Sequence, residues 1–259
     1  WEWHSELFKT AKEEGLICFS TPFDISSVDF LEKLKCPIYK IASFEIMDIP
    51  LIKYIASKGK PNIMSTGIAK FEDIQLAVET CKQEGNDDIT VLKCTSSYPA
   101  PIEEANLKMI KRFKKDFNVK VGLSDHTEGS FVPTLAIAMG ATVIEKHFKL
   151  NDDIGGPDAS FSMNEVDFTK LVSDIRMAES ALGEESYDLT PKQISGRRYG
   201  RSLYVSSDIG KGEIITKENI KSVRPSLGMH PKHYEEILGK KVVKYLEKGT
   251  RLSFDQIEK

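Results

Sequence analysis

Short apolar runs rich in β-branched residues recur along the first 150 residues of the chain. Successive runs begin 22 to 29 residues apart and cover six segments, 16–20, 38–43, 62–66, 90–96, 119–125 and 142–148. Between these runs, apolar residues recur with a period near 3.6, which predicts helices. The predicted helices are 26–34, 50–58, 71–84 and 106–117. Strands that alternate with helices of this length indicate parallel strands joined by crossover helices.

Two further helices are predicted at the edges of this pattern. The segment 2–14 precedes the first apolar run and has helical character. The segment 164–182 is the longest helical pattern, with Val166, Leu171, Ile175 and Ala178 on one side. We expect that side to pack against the rest of the fold, because a surface helix buries its apolar stripe.

The ends of the predicted strands are polar, which bears on the architecture. An open doubly wound sheet and a closed eightfold barrel both place ligands at the C-terminal ends of parallel strands. An open sheet concentrates its site at one switch point, whereas a barrel gathers all its strand ends around one mouth. All six strand ends here are polar, so we predict a (β/α)8 TIM barrel. Six units leave such a barrel two short, and we expect the first two βα units to precede Trp1.

The pattern changes after Gly183 and predicts a second domain. We assign 1–183 to the barrel, the polar and turn-rich stretch 184–199 to a linker, and 200–259 to a small β-rich domain. Within the last part, 208–220 resembles 245–257 at an offset of 37 residues. This weak repeat predicts two related halves.

Composition narrows the class of protein. The chain has 259 residues, of which 40% are apolar and 29% charged, and its net charge is −3. A weakly acidic protein does not offer the dense basic face that nucleic acid requires, and no stretch is apolar and long enough to span a bilayer. Four cysteines occur without a C-x-x-C pair, which is typical of a reduced, cytoplasmic protein.

Two histidines lie at the ends of consecutive predicted strands. His126 and His147 are 21 residues apart, and neighbouring strands lie about 4.8 Å apart. Two imidazoles at adjacent strand ends can share a divalent transition metal such as Mn²⁺ and leave positions open for a substrate oxygen. The alternative is that both rings are satisfied by hydrogen bonds at the rim of the sheet.

A lysine and several hydroxyl groups mark the same strand ends. Lys40 closes an otherwise apolar strand, and Ser43, Ser65, Ser96 and Ser124 lie at or just after strand ends. A cation among hydroxyl and backbone N–H groups suits a phosphate or a carboxylate. The alternative for each serine is to cap the helix that follows.

Three carboxylates complete the candidate chemistry. Glu45 follows Lys40 by five residues and is a candidate general base, a ligand for sugar hydroxyls or an ion-pair partner of Lys40. Asp125 is placed to orient His126 or to form a turn. Asp158 lies in the turn-rich loop 155–162, where it either reaches over the mouth or is solvated.

Seven ordered motifs resemble the sialic acid synthase family. They are STPF (20–23), YKIASFE (39–45), STG (65–67), KCTSSYP (93–99), GLSDHT (122–127), EKHF (145–148) and GGPD (155–158). The segment 222–241 resembles the antifreeze-like C-terminal (SAF) domain of that family, and KIASFE is closest to its pseudaminic acid synthase branch. The resemblance implies a metal-dependent condensation of phosphoenolpyruvate with an acylated amino sugar. An N-acetylneuraminate or legionaminate synthase, or an inactive sugar-binding module, remains the alternative.

The resemblance also implies roles for individual residues. Those expected to hold phosphoenolpyruvate are Thr21, Lys40, Ser43, Ser65, Ser96 and Ser124; Ser96 stands where many relatives have Asn. His126 and His147 are expected to bind the metal, Mn²⁺ or alternatively Mg²⁺ or Co²⁺. Residues expected to contact the sugar are Glu45, Tyr98, Asp158 and Arg224. Lys40, Glu45 and His126 are the expected catalytic residues, and the family implies a homodimer that exchanges its C-terminal domains.

Overall fold

The computed structural model describes residues 1–258 and divides the chain into two compact units. The first unit ends at Gly183 and the second begins at Glu184. Lys259, the last residue of the predicted C-terminal domain, lies outside the described residues.

Five parallel strands form the sheet of the first unit. Their bounds are β1 Tyr39–Ile41, β2 Asn62–Ser65, β3 Ile89–Cys94, β4 Lys120–Asp125 and β5 Val143–Lys146. Each strand pairs with the next one along the chain, in the order β1-β2-β3-β4-β5. The predicted parallel α/β arrangement is confirmed, and within residues 1–258 the sheet is open, with β1 and β5 at its two edges.

Seven helices accompany this sheet. They are α1 His4–Glu13, α2 Ile25–Lys33, α3 Ile49–Ala56, α4 Phe71–Gln83, α5 Lys108–Phe117, α6 Phe131–Ala138 and α7 Glu165–Leu182. The pattern of the sequence did not predict α6. This helix is apolar along most of its length, FVPTLAIA, so it lacks the polar positions that reveal a period of 3.6.

Side chains alternate between the two faces of the sheet, as the pleat of a strand requires. The outer face carries apolar residues that pack with the helices in one buried core, for example Ile41, Met64 and Leu123. The residues between them point to the inner face, where the sheet carries mainly polar groups toward its C-terminal edge. Those inner residues include Lys40, Ser65, Cys94, Ser124 and Glu145.

Two expectations about the first unit were wrong in part. The run 16–20 forms only an isolated bridge between Ser20 and Tyr39, and Leu16 is 68% exposed, because this edge segment has a partner at one residue alone. In α7, Leu171 is buried and Ile175 half-buried, whereas Val166 is 76% exposed. Val166 lies in the first turn of the helix, before its buried part begins.

The second unit is a small β-rich fold with its own apolar core. Its elements are α8 Pro191–Gly196, β6 Ser202–Val205, β7 Ile220–Val223 and α9 Tyr234–Ile237. Strands β6 and β7 are antiparallel. Helix α8 lies inside the stretch expected to be a linker, where Thr190 caps it and Pro191 occupies its first turn, a common start signal.

The two repeated segments of the second unit pair with each other. Ile209 and Leu246, equivalent positions at the 37-residue offset, exchange two backbone hydrogen bonds of 2.9 Å. A second pair of hydrogen bonds is also equivalent at this offset. Gly212 N donates to Val242 O, and Gly249 N donates to Val205 O. The halves are therefore related by an approximate twofold axis, and both glycines have the positive φ that their turns require.

Candidate active site

His126 and His147 lie side by side just beyond the C-terminal ends of β4 and β5. The ladder between these strands ends with Asp125 opposite Lys146, so the next residue on each strand is a histidine. The centroids of the two imidazole rings are 5.2 Å apart, and the ring planes are inclined by 64°. The structure therefore brings the predicted pair together.

The hydrogen bonding of His126 leaves one ring nitrogen available as a ligand. Its Nδ1 lies 2.8 Å from the carbonyl oxygen of Thr95. Because a carbonyl only accepts, Nδ1 carries the proton, and in the neutral ring Nε2 keeps its lone pair. A carbonyl that orients a ligating histidine in this way is common behind metal sites.

The surroundings of His147 favour its neutral form. Burial lowers the pKa of His147, and the neighbouring His126 lowers it further, against the opposing effect of Asp158 and Glu145. Asp158 Oδ2 lies 3.7 Å from His147 Nδ1. Across residues 1–258, no cluster of three or more His, Cys, Asp or Glu side chains has the geometry of a metal site. The donor set is thus two imidazoles, which fit a divalent transition ion that takes its other ligands from substrate or water.

Aromatic side chains form a wall around the two imidazoles. The Tyr98 ring centroid lies 4.3 Å from that of His126, and Phe161 lies 4.9 Å from His147. Sequence reasoning proposed Tyr98 but missed Phe161, which is almost fully buried although it follows a glycine-rich loop. An aromatic residue within such a polar segment was the signal available for it.

Lys40 projects from β1 into the polar inner face and is nearly buried. Its Nζ donates to Ile41 O at 3.1 Å and lies 3.6 Å from Glu145 Oε2. Burial lowers the pKa of Lys40, and the Glu145 carboxylate opposes that shift. The protein compensates the buried Lys40 ammonium only in part. An anion that binds next to it would complete the compensation, so this position favours anion binding.

The predicted serines contribute to the same face in different ways. The Oγ of Ser65 is buried and has no hydrogen-bond partner among the described residues. Ser96 Oγ donates to Ser43 Oγ at 3.2 Å, so hydroxyl groups from two separate segments meet. A buried hydroxyl without a partner is costly in a folded protein, and it fits a position where a ligand supplies the acceptor.

Gly67 allows the backbone after β2 to approach the serine pair. A Cβ placed there would lie 2.0 Å from Ser96 Oγ and 2.7 Å from Ser43 Oγ. Its φ is not among the positive values of the chain, so space rather than backbone conformation requires glycine. The STG motif therefore requires glycine at its third position, because the hydroxyl groups of Ser43 and Ser96 fill the space that a side chain would occupy.

Glu145 is a site residue that sequence reasoning left without a role. Its Oε1 accepts a hydrogen bond of 2.7 Å from Ser124 Oγ, and its Oε2 faces Lys40. Glu145 lies opposite Ser124 in the β4–β5 ladder. The signal was the period of two along β5, which sends Glu145 and His147 to the same face.

For Glu45 and Asp125 the structure decides between some of the alternatives left open by the sequence. Lys40 faces Glu145 rather than Glu45, and Glu45 Oε2 is buried without a hydrogen-bond partner among residues 1–258. Asp125 takes the second role considered for it, that of a turn residue, because its carboxylate accepts a hydrogen bond from Thr127 N. It makes no contact with the His126 ring, since it lies on the opposite face of β4 and pairs with Lys146 at 2.6 Å. Thr95 O holds the ring instead.

Thr21 and Arg224 are the remaining predicted site residues. Thr21 follows the isolated bridge at Ser20 and is half-buried. Arg224 belongs to the second unit, where it directly follows β7 and is exposed. The structure therefore assembles the strand-end residues of the first unit into one site.

Known proteins resemble the chain along its whole length. Residues 1–187 match the NeuB family, and residues 200–258 match the SAF domain. The chain is 50% identical to a pseudaminic acid synthase of Campylobacter jejuni, across 97% of this chain and 74% of that protein. It is 49% identical to a pseudaminic acid synthase of Helicobacter pylori, across 100% and 76%.

A solved structure extends the comparison to the fold. The crystal structure of the spore coat polysaccharide biosynthesis protein SpsE of Bacillus subtilis superposes with a TM-score of 0.68 at 32% identity, over 100% of this chain and 78% of that one. Matches of this extent leave the family in no doubt. The chain belongs to the NeuB family, that of the sialic acid synthases, and carries a SAF domain at residues 200–258.

Proposed function

We propose that this protein is a pseudaminic acid synthase. The reaction condenses phosphoenolpyruvate with 2,4-diacetamido-2,4,6-trideoxy-altrose and yields a nine-carbon nonulosonic acid and phosphate. Identity of about half to synthases named for this product supports the choice of sugar. The observation that carries the chemistry is the position of two groups on the sheet face that ends in His126 and His147. They are Lys40 and the Ser65 hydroxyl, which has no hydrogen-bond partner among residues 1–258.

The architecture we propose is a (β/α)8 barrel with a C-terminal SAF domain. The proposal is supported by the five parallel strands, which are consecutive neighbours in one sheet as barrel strands are, and by the Ser20 bridge beside β1. The polar inner residues then face a common mouth, where barrel enzymes bind their substrates.

Phosphoenolpyruvate binds, in this proposal, at the Lys40 side of the mouth. The Lys40 ammonium offsets the charge of the phosphate or carboxylate, and Ser65, Ser43, Ser96 and Thr21 donate hydrogen bonds. Charge-assisted bonds of this kind are roughly twice as strong as neutral ones. The Ser124 hydroxyl, now donating to Glu145, turns to the anion when it arrives.

His126 and His147 hold a divalent ion, for which Mn²⁺ is the first choice and Mg²⁺ or Co²⁺ the alternatives. Such an ion supplies Lewis-acid polarisation of the aldehyde oxygen of the open-chain sugar. The protein prepares the pair through the Thr95 carbonyl, which fixes the His126 tautomer, and through the burial that lowers the pKa of His147.

The reaction forms one carbon–carbon bond and breaks one carbon–oxygen bond. Carbon 3 of phosphoenolpyruvate attacks the aldehyde carbon, and positive charge develops at carbon 2. Water adds at carbon 2; Glu45 takes one of its two protons and passes it to the alkoxide left at the former aldehyde, and the second proton leaves with the phosphate in the next step. The resulting hemiketal phosphate loses phosphate by cleavage of the bond between carbon 2 and the bridging oxygen. Lys40 stabilises the phosphate as it leaves, and holding both substrates in one mouth supplies much of the rate.

The sugar lies between the two imidazoles and the loop after β5. Tyr98 packs along one side of it, and Asp158 reaches its hydroxyl or amide groups.

We propose a cytoplasmic homodimer with exchanged SAF domains, in which Arg224 of one subunit contacts the acyl group of the sugar in the other. All four cysteines are free thiols, and residues 1–258 contain no helix long and apolar enough to cross a membrane.

The test is a substrate panel with phosphoenolpyruvate and Mn²⁺. Phosphate release is measured with the 2,4-diacetamido sugar of altro configuration, with the corresponding precursor of legionaminate and with N-acetylmannosamine. The proposal predicts turnover with the altro sugar at the highest kcat/KM. Preference for another sugar makes the protein a legionaminate or N-acetylneuraminate synthase, and phosphate release with none of them makes it an inactive sugar-binding protein.

A further inference from the structure

We propose that the buried ion pair between Asp125 and Lys146 is a positioning device that sets the spacing of His126 and His147. The inference deepens the function proposed above and rests on it, because it assigns the pair to the two-histidine metal site. Asp125 and Lys146 touch neither substrate nor metal in this account. They act from the opposite face of the same two strands.

The pair occupies the last rung of the β4–β5 ladder. Asp125 and Lys146 are Cα partners, their charged atoms lie 2.6 Å apart, and their side chains are 3% and 1% exposed. His126 and His147 are the next residue on each strand, beyond the ladder. The ion pair is therefore the final side-chain link between the strands before the two imidazoles.

Thr127 ties the pair to the segment that leaves β4. The Asp125 carboxylate accepts hydrogen bonds from Thr127 N at 3.2 Å and from Thr127 Oγ1 at 3.0 Å. Lys146 Nζ also donates to Thr127 O. The residues on both sides of His126 are thus fixed to β5, and the backbone that carries its ring has little freedom to move relative to His147.

Stability alone gives a poor account of these charges. The surrounding outer face is apolar and includes Leu123 and Ile144. Replacing a buried ion pair with apolar residues is often neutral or stabilising, whereas a buried pair fixes one arrangement of its neighbours. A one-residue slip of β5 against β4 would bury an unpaired charge and turn His147 to the outer face, so the pair selects the register that aligns the histidines.

The test uses the double variant Asp125→Asn, Lys146→Met in the complete protein. It removes both charges, while the amide oxygen introduced at position 125 still accepts the hydrogen bond of Thr127 N and the new amide nitrogen donates to the Thr127 hydroxyl. The matched control is Glu32→Gln, Lys60→Met, which neutralises an ion pair of 2.7 Å in the same unit. Mn²⁺ alone is the probe, its dissociation constant is read from the free Mn²⁺ signal in electron paramagnetic resonance, and folding is followed by circular dichroism.

We expect the double variant to fold like the control and to bind Mn²⁺ about 10- to 100-fold more weakly, the usual cost of losing support behind a metal ligand. Equal Mn²⁺ affinity in wild type and double variant, or no Mn²⁺ binding by the wild type, overturns the inference. If the double variant fails to fold, Lys146→Arg decides the matter: weaker Mn²⁺ binding by this folded variant supports the inference, and unchanged binding overturns it.

Turnover by the wild type separates this inference from the proposed function. Product formation by the wild type, together with equal Mn²⁺ affinity in the two proteins, refutes positioning and leaves the synthase function standing. Weaker Mn²⁺ binding by the variant, without product from the wild type, supports positioning and refutes the proposed synthase.

Discussion

Lys40 Nζ lies 3.6 Å from Glu145 Oε2, between strands at the two edges of the described sheet. The carboxylate is 39% exposed and the lysine side chain 8% exposed, so the lysine bears most of the cost of burial. Glu145 partly offsets the lysine charge, and Ser124 holds the carboxylate in place. The Lys40 ammonium is therefore available to an incoming phosphate, because Glu145 is a weak partner that the phosphate can displace.

The variant Lys40→Met separates binding from stability. We expect phosphoenolpyruvate affinity to fall roughly 10- to 100-fold, since a hydrogen bond to a charged group contributes about 1.5–3 kcal/mol. The free energy of unfolding is expected to rise by about 1 kcal/mol, because a desolvated ammonium is removed. Calorimetric titration and urea unfolding measure the two effects, and a destabilised variant would show that Lys40 is mainly structural.

The same variant fixes the sign of a pH dependence. The lowered pKa of Lys40 means that the native state binds fewer protons than the unfolded state between that pKa and the ordinary value of 10.5. Stability contributed by this group therefore rises with pH across that window. The difference in unfolding free energy between Lys40→Met and wild type should shrink as pH rises toward 10.5. Parallel curves would contradict the assignment.

Gly67→Ala tests whether the hydroxyl pair serves the ligand. The new methyl group collides with the Oγ atoms of Ser43 and Ser96, so the serines must separate. We expect KM for phosphoenolpyruvate to rise at least tenfold, equivalent to about 1.4 kcal/mol, with the fold retained. Gly196→Ala is the control, since no atom lies within 4 Å of its added Cβ. Equal KM values in both variants would place the serine pair outside the site.

His126→Ala tests the role of the two imidazoles. The site lies at the strand ends rather than in the apolar core, so we expect the variant to fold and to lose turnover. The wild type treated with a chelator should lose turnover as well and regain it with Mn²⁺. His233→Ala, which removes a histidine paired with Glu236 in the second unit, should keep its metal affinity. Full activity of the wild type in metal-free buffer would rule out the metal site.

Exchange of SAF domains predicts complementation between two impaired variants, assayed at low substrate concentrations. Lys40→Met disables the barrel of its own subunit, and Arg224→Ala disables the SAF domain that would serve the partner. In a mixed dimer, the intact barrel of one subunit receives the intact arginine of the other. Co-refolded mixtures should therefore regain up to half of the wild-type turnover per mixed dimer. No recovery in mixed dimers isolated by two affinity tags would contradict domain exchange.

The sequence predicted the parts of the fold that follow from local chemistry. Apolar runs that end in polar groups marked all five strands of the sheet, and the period of 3.6 marked most helices. Helix α6 was not predicted, because nearly all its residues are apolar. The run 16–20 was predicted to be a strand but forms only one bridge, because pairing, and not propensity alone, decides whether an edge segment becomes a strand.

The candidate site was harder to predict in its details. Adjacent strands brought His126 and His147 together as their spacing implied. The partners of Lys40 and Asp125 depended on which face of the sheet each neighbour occupies, and that required the register. Counting by twos from His147 would have placed Glu145 on the inner face and Lys146 on the outer face, where the structure has them. The role of Thr95 O could not be read from its side chain, because the contact is made by the backbone.

The most direct test of the central claim follows the atoms of phosphoenolpyruvate. The protein is incubated with Mn²⁺, the altro 2,4-diacetamido sugar and phosphoenolpyruvate labelled with ¹⁸O at the bridging oxygen, and both products are analysed by mass spectrometry. The account predicts a nine-carbon acid without label and phosphate that carries the ¹⁸O. Absence of the nine-carbon acid, or label retained in it, would contradict the account.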